Sequence, residues 1–476
     1  MDLRLLKKAG ECRWELPATG QMRVPGYLFA DRALLEEMDD KVIQQLSNVA
    51  CLPGIVKGAM AMPDAHWGYG FPIGGVAAFD PLKGGVISVG GVGYDISCGV
   101  RSIRTDLTRK ELLPRLEPLI DALFRAIPAG VGSEGAIRLR PQQLDEVLVG
   151  GARWAVERGY GSSDDLRFIE ERGCLSGADP SKVSALAKER QYRQVGTLGS
   201  GNHYLEIQYV ETIFDKDAAD AFGIGQDQVV ISIHCGSRAL GHQIGTDYIQ
   251  ILGKAAKRYN IPIRERELVC APIESPEGRD YFAAMACGVN CALANRQVIG
   301  ALVSQVVDRM LPGANPRLIY DVSHNTCKPE EHLVEGKPRL LYVHRKGATR
   351  AFGPGRTELP EEYRQVGQPL FIGGTMGTCS YILAGSDQGE ELAWASACHG
   401  AGRAMSRRAA LKRWKGKKVI KDLAGRGIIV RAASMRGAAE EAPAAYKDIE
   451  LVVDSTHRAG LARKVARVRP MAVIKG

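Results

Sequence analysis

Apolar positions along the chain fall into two kinds of run. Short apolar or β-branched stretches, among them 229–233, 317–322 and 340–343, read as strands. Several of them run into Gly-rich segments, which lie at 68–93, 196–201, 236–245, 347–355, 373–377 and 400–402. Between these, stretches at 109–126, 142–158, 181–193, 245–258, 279–311 and 400–413 predict helices. The segment 105–190 is more polar and reads as a helix-rich elaboration on a β core. No repeat, low-complexity tract or Pro/Ser-rich linker marks a boundary. The order predicts the α+β class: a single large domain over 1–476, with a mixed β-sheet core, Gly-rich strand-end loops and helices packed outside.

Composition narrows the function classes. The 476 residues are 45% hydrophobic and 25% charged, as in soluble globular proteins. No stretch approaches the ~18 uninterrupted apolar residues of a membrane span, and the opening MDLRLLKKAG has no apolar core or cleavage site, so no secretory leader is expected. Eleven cysteines, odd in number and scattered, point to a reduced, cytoplasmic protein. Cys287 and Cys291, four apart on an apolar helical stretch, read as buried thiols rather than half a zinc site. The net charge of +9 is local. Nine basic residues and no acid lie between Arg403 and Lys421, and without them 54 basic residues face 54 acidic ones. Such a segment is a polyanion-binding surface or, taken in isolation, a solvated helix face.

The candidate chemistry sits in the loops. There is no GxxxxGK[ST] and no Asp-Gly dipeptide, which excludes a P-loop and the KxDG lysine motif of common nucleotidyl-transferring ligases. His203 lies in GTLGSGNHYLEIQ, His234 ends VVISIHCGSR, His324 ends RLIYDVSHN, and Asp95 and Cys98 lie in GGVGYDISCGVR. Each histidine alone reads more readily as a hydrogen-bonded loop residue. Together, three imidazoles, a carboxylate and a thiol form a ligand inventory suited to zinc, manganese or iron, with a bridging Cys able to hold two cations. In ACHGAGR, His399 precedes the basic segment. If 400–413 is helical, His399, Arg403 and Arg407 share one stripe, and Gly400 and Gly402 leave bare amides at the helix start for an anion. A histidine there is either a cap or a nucleophile towards phosphorus. The loop GGTMGTCS (373–380) is a second bare-backbone segment.

The runs PDAHWGYGFPIGG, GGVGYDISCGVR, GTLGSGNHYLEIQ, HCGSRALGHQIG, SHNTCKPEEH, VHRKGATRAFGPG, GTMGTCSYIL and HGAGRAMSR, with the terminal IKG, together resemble the RtcB family of RNA-splicing ligases. The resemblance implies a GTP- and manganese-dependent ligase that joins an RNA 3′-phosphate or 2′,3′-cyclic phosphate end to a 5′-hydroxyl end. It implies that His399 is guanylylated, that GMP passes to the RNA 3′-phosphate, and that the 5′-hydroxyl then displaces it. It also places Asp95, Cys98 and His203 on one Mn²⁺ and Cys98, His234 and His324 on a second.

By the same resemblance, Asn202, Glu206 and Asn325 contact the guanylate with Gly373, Gly374, Thr375, Met376 and Ser380, while Gly400, Ala401 and Gly402 cradle phosphate. Lys475 matches a guanine-contacting lysine, Tyr446 is a candidate to stack on the base, and Asp64 is the carboxylate expected to orient His399. Arg190, Arg238, Arg403 and Arg407 match phosphate-binding positions for RNA. The basic run then continues that surface past Trp414, either a stacking residue or packed. RNA ends, in tRNA splicing or RNA repair, and an archease-type accessory protein are the implied partners. Ser97, Cys235, Thr375 and Gly373 depart from the commonest pattern, and Gly373 is expected to loosen the nucleotide loop. Two other readings compete: a dinuclear metal phosphodiesterase that opens cyclic phosphates without ligation, and a non-catalytic RNA-binding protein.

Overall fold

The β-branched runs assemble into two large sheets. The structure, a computed structural model, describes residues 1–135 and 137–476. One sheet has the order Lys7–Gly10, Arg13–Leu16, Gly26–Phe29, Ile55–His66, Ile73–Phe79, Lys337–Lys346, Asn325–Val334. It is antiparallel except where Gly26–Phe29 runs parallel to Ile55–His66. The other has the order Arg317–Ser323, Gly99–Thr108, Gln228–Cys235, Tyr204–Ile213, Ala462–Lys475, Ser380–Gly385, Pro369–Ile372, with Ile429–Ala432 parallel beside Ala462–Lys475. The three strands expected at 229–233, 317–322 and 340–343 lie within these ladders. His324 alone separates Arg317–Ser323 of one sheet from Asn325–Val334 of the other, so it sits where the two sheets meet.

Helices cover these sheets, as the α+β reading expects. Five of the six predicted stretches are helical with shifted ends: Arg109–Leu112 with Leu116–Ala126, Pro141–Glu157, Ala185–Gln191, Arg238–Arg258 and Pro276–Met310. The last is apolar on nearly all sides and accordingly buried, with Cys287 and Cys291 inside as expected. Its buried Asn290, Asn295, Arg296 and Gln297 each have a partner. Asn290 accepts from the Leu175 amide at 2.8 Å and donates to the carbonyls of Leu148 and Leu175 at 2.9 and 3.1 Å, so it ties the 105–190 region to the core.

The sixth stretch is a correction. Residues 399–406 form a loop, and only Arg407–Arg413 and Gly416–Ala424 are helical. The amides an N-terminal helical turn would leave free are already spent, those of His399 and Gly400 on the Asp64 carboxylate and that of Ala401 on the Gly373 carbonyl. Gly402 adopts φ +72°, and a Cβ there would stand 2.3 Å from the Asp64 carbonyl oxygen. His399, Arg403 and Arg407 therefore do not form a helical stripe, and Ser406 caps the helix that follows.

Asn290→Ala should lower stability by about 2 kcal/mol, because buried backbone groups of two segments lose their partner. Urea unfolding checks this; an unchanged midpoint would mean that water replaces the amide.

Candidate active site

Strand register decides which loop residues meet. Gly99 pairs with both Ser323 and Cys235, and Val100 lies between Val322 and His234. Tyr204 pairs with His234 on the opposite side. The segments ending in Cys98, His203, His234 and His324 are thus level at one end of four adjacent strands.

Their side chains converge. Cys98 Sγ lies 3.3 Å from His203 Nε2 and 3.1 Å from His234 Nε2. His203 Nε2 is 2.8 Å from Asp95 Oδ2, and His234 Nε2 is 3.1 Å from His324 Nε2. Two groups result, Asp95–Cys98–His203 and Cys98–His234–His324, sharing the thiol. Burial pushes His234 and His324 well below the usual imidazole value, which keeps them neutral with a free lone pair. His234 Nδ1 lies 3.1 Å from the Asn202 carbonyl; a carbonyl only accepts, so Nδ1 carries the proton and Nε2 is the donor atom facing the cluster. Burial, with Asp95 adding, pushes the Cys98 thiol well up. A soft sulfur, neutral imidazoles and one carboxylate, all in contact and mostly buried, fit a pair of divalent cations.

Beside this cluster stands His399, its ring centroid 4.8 Å from that of His324. It follows the short strand Ser396–Cys398, which pairs with Ala348–Arg350. Asp64, fully buried on the strand Ile55–His66, accepts from His399 Nδ1 at 2.6 Å and from the His399 and Gly400 amides at 3.1 and 3.4 Å. Burial alone would push its carboxyl up; the charge and hydrogen bonds of His399 outweigh this and hold it below the usual value. Lys447, whose ammonium donates to the Ala65 carbonyl at 2.6 Å, is pushed down to about 8 by burial, with Asp64 opposing.

His399 lines a cavity of about 460 Å³. The expected residues Asn202, Glu206, Gly373 to Met376, Ser380, Gly400 to Gly402, Tyr446 and Lys475 line it too, as do Arg403 and Arg407. Asn325 is not among its walls: its amide donates to the Asp95 carbonyl at 3.0 Å and accepts from the Gly347 amide at 2.7 Å, tying the ligand loop to the opposite sheet. The Ser380 hydroxyl accepts from the Gly374 amide at 2.9 Å and so shapes the loop. Gly373 is bridged to Gly400, and a Cβ there would stand 2.8 Å from the buried Tyr204 hydroxyl. The missing side chain makes room for that phenol. Arg190 and Arg238 lie outside the walls, donating to Gln243 and Thr197 respectively. Trp414 is half-buried with Arg413 over its ring, while Arg407, Arg408, Lys412, Arg413, Lys415, Lys417, Lys418 and Lys421 are exposed.

Glu441 and Lys447 were not among the expected residues. Buried Glu441 gathers Arg403, Arg407 and Lys475 at 3.2, 3.5 and 3.6 Å and accepts from the Tyr446 hydroxyl. Despite burial, these cations, Lys475 first, hold its carboxyl below the usual value. The Tyr446 ring already carries the Arg403 guanidinium at 4.9 Å. Nothing in the local sequence around Glu441 marks it; only the cations brought to it from distant segments do.

Glu206 is buried, accepts from Gln208 at 2.6 Å, and is pushed by burial from 4.5 to about 8. The folded protein therefore keeps a proton that the unfolded chain releases, so this group lowers stability as pH rises from about 4.5 to about 8. Glu206→Gln should melt higher than wild type at pH 8, by about 1–3 kcal/mol in stability, with the gap closing near pH 4. Melting curves at both pH values check this; a pH-independent gap would refute it.

A family model described as tRNA-splicing ligase RtcB matches residues 45–476. Proteins named tRNA-splicing ligase RtcB from Thermococcus kodakarensis and Archaeoglobus fulgidus are each 51% identical, over 99% of both chains. The RNA-splicing ligase RtcB of Mycobacterium tuberculosis is 50% identical over 91% of this chain and 100% of its own. Matched by that model over residues 45–476 and about half identical to these relatives along its length, the chain belongs to the RtcB family.

Proposed function

We propose that this protein is an RNA ligase, acting in tRNA splicing or RNA repair, that uses GTP to join RNA 3′-phosphate or 2′,3′-cyclic phosphate ends to 5′-hydroxyl ends. The observation that carries this reading is the buried Asp64 carboxylate on His399 Nδ1, in a cavity wall next to a thiol- and imidazole-rich cluster. The proton held at Nδ1 leaves Nε2 with its lone pair for the α-phosphorus of GTP. As the N–P bond forms, the bond to the β-phosphate oxygen breaks and pyrophosphate leaves. An RNA 3′-phosphate oxygen then takes the guanylyl group from His399. Finally the 5′-hydroxyl oxygen bonds to that 3′-phosphate, its proton passes to solvent, and GMP leaves.

Asp64, buried and ionised, stabilises the imidazole as it gains charge in the first step. Arg403 and Arg407, gathered by Glu441, offer the cavity positive charge for phosphates, and Lys475, held by the same carboxylate, would contact the guanine. Asp95, Cys98 and His203 would hold one Mn²⁺ and Cys98, His234 and His324 the other, supplying charge neutralisation and in-line orientation of the anionic groups. Glu206, also in the cavity wall, would accept from the guanine N1–H and N2–H₂. The exposed basic surface from Arg407 to Lys421 would follow the RNA backbone without reading sequence.

Incubation with [α-³²P]GTP and Mn²⁺ should label the protein with an acid-labile, base-stable bond that is absent in His399→Ala. His399→Ala should lose ligation yet retain opening of cyclic phosphates, whereas Cys98→Ala should lose both. No label from wild type, with cyclic phosphates still opened, would identify a dinuclear phosphodiesterase instead.

A further inference from the structure

Behind the thiol–imidazole cluster, the long helix Pro276–Met310 buries one arginine completely. Arg296 Nη1 donates to the carbonyls of Ser97 and Cys235 at 2.6 and 2.9 Å, and Nη2 donates to the Ser323 hydroxyl at 3.3 Å. Its Nε is paired with Asp321 Oδ1 at 2.8 Å. Ser97 precedes Cys98, Cys235 follows His234, and Ser323 precedes His324. One planar group therefore grips the backbone or side chain next to three converging side chains that come from three different strands. A guanidinium suits this because its donors are fixed in one plane, so the distances among the three loops are fixed with them.

The grip falls on strained backbone. Ser97 is a non-glycine residue at φ +54°, which costs of order 1 kcal/mol and persists only when its surroundings hold it. Its amide donates to the Asn325 carbonyl at 2.7 Å, its carbonyl accepts from Arg296, and its hydroxyl shares a hydrogen bond with Ser323 at 2.6 Å. Ser323 is held in turn by Glu170, which accepts from its amide at 3.0 Å and from its hydroxyl. Asp321 is braced on its other oxygen by Arg101 at 2.8 Å.

We infer that Arg296 is a positioning residue for the cation pair: it sets the spacing of Cys98, His234 and His324 from behind, without touching the cations. This rests on the proposed metal reading of those three residues. Outer contacts of this kind alter metal affinity roughly 10–100-fold when removed. Arg296→Lys would keep a positive charge near Asp321, but three N–H donors on one nitrogen cannot serve Asp321, Ser97, Cys235 and Ser323 together.

The test is titration of Co²⁺ alone into chelator-treated full-length protein, following the thiolate-to-cobalt absorption band, with melting of each metal-free protein alongside. Arg296→Lys should weaken Co²⁺ binding roughly 10–100-fold and shift the band while the metal-free protein still unfolds cooperatively. Ser323→Ala, which removes the shared hydroxyl and leaves the arginine, should weaken binding several-fold. Wild-type affinity and band in folded Arg296→Lys would overturn the inference; if that variant does not fold, wild-type binding by Ser323→Ala overturns it. Absence of any band in wild type, or a band that survives Cys98→Ala, would overturn the metal reading itself.

Discussion

Three imidazoles and a thiol cannot be buried together unless something fixes the height of the chain segments that carry them, and here that is β-ladder register. Gly99 stands between Ser323 and Cys235, and Val100 between Val322 and His234, so a shift of one residue in either ladder would turn the clustered side chains to the opposite face. Glycine is required at 99 for a further reason: a Cβ would stand 2.5 Å from the Val322 carbonyl oxygen. Because His324 is the whole connection between Arg317–Ser323 of one sheet and Asn325–Val334 of the other, the position of this imidazole is tied to the placement of both strands.

Around that register, buried charge is used where its partners are supplied by the fold. Asp64 is fully buried yet ionised because three donors from 399–400 reach it. Glu441 is buried with three cations, and Asp321 with two arginines. Removing one member of such a set leaves an uncompensated buried charge, so each set is stable only as a whole. These sets lie beside the cluster and the His399 loop, where the groups proposed to react must be held to within a fraction of an ångström.

Much of this was legible along the chain. The β-branched runs at 229–233, 317–322 and 340–343 lie inside observed strands, and the long apolar stretch at 279–311 is a buried helix, because hydrophobic periodicity is a local signal. The ligand inventory was legible because Cys, His and Asp in Gly-rich strand-end loops are chemically conspicuous. The helix expected at 400–413 was misread for a physical reason: its first amides are consumed by Asp64 and Gly373, more than 300 and about 30 residues upstream, and local propensity carries no trace of either.

The sequence by itself determined the residue types, their placement at strand ends, the local concentration of positive charge after Arg403, and the family. Those properties follow from chain chemistry and spacing. The tertiary structure alone decided which atoms meet: Asp64 with His399, Glu441 with three cations, Asn325 turned from the cavity to the Asp95 and Gly347 backbone, and Arg296 reaching three loops from a largely apolar helix. Each of these pairings joins segments far apart in sequence, and only register and packing specify them.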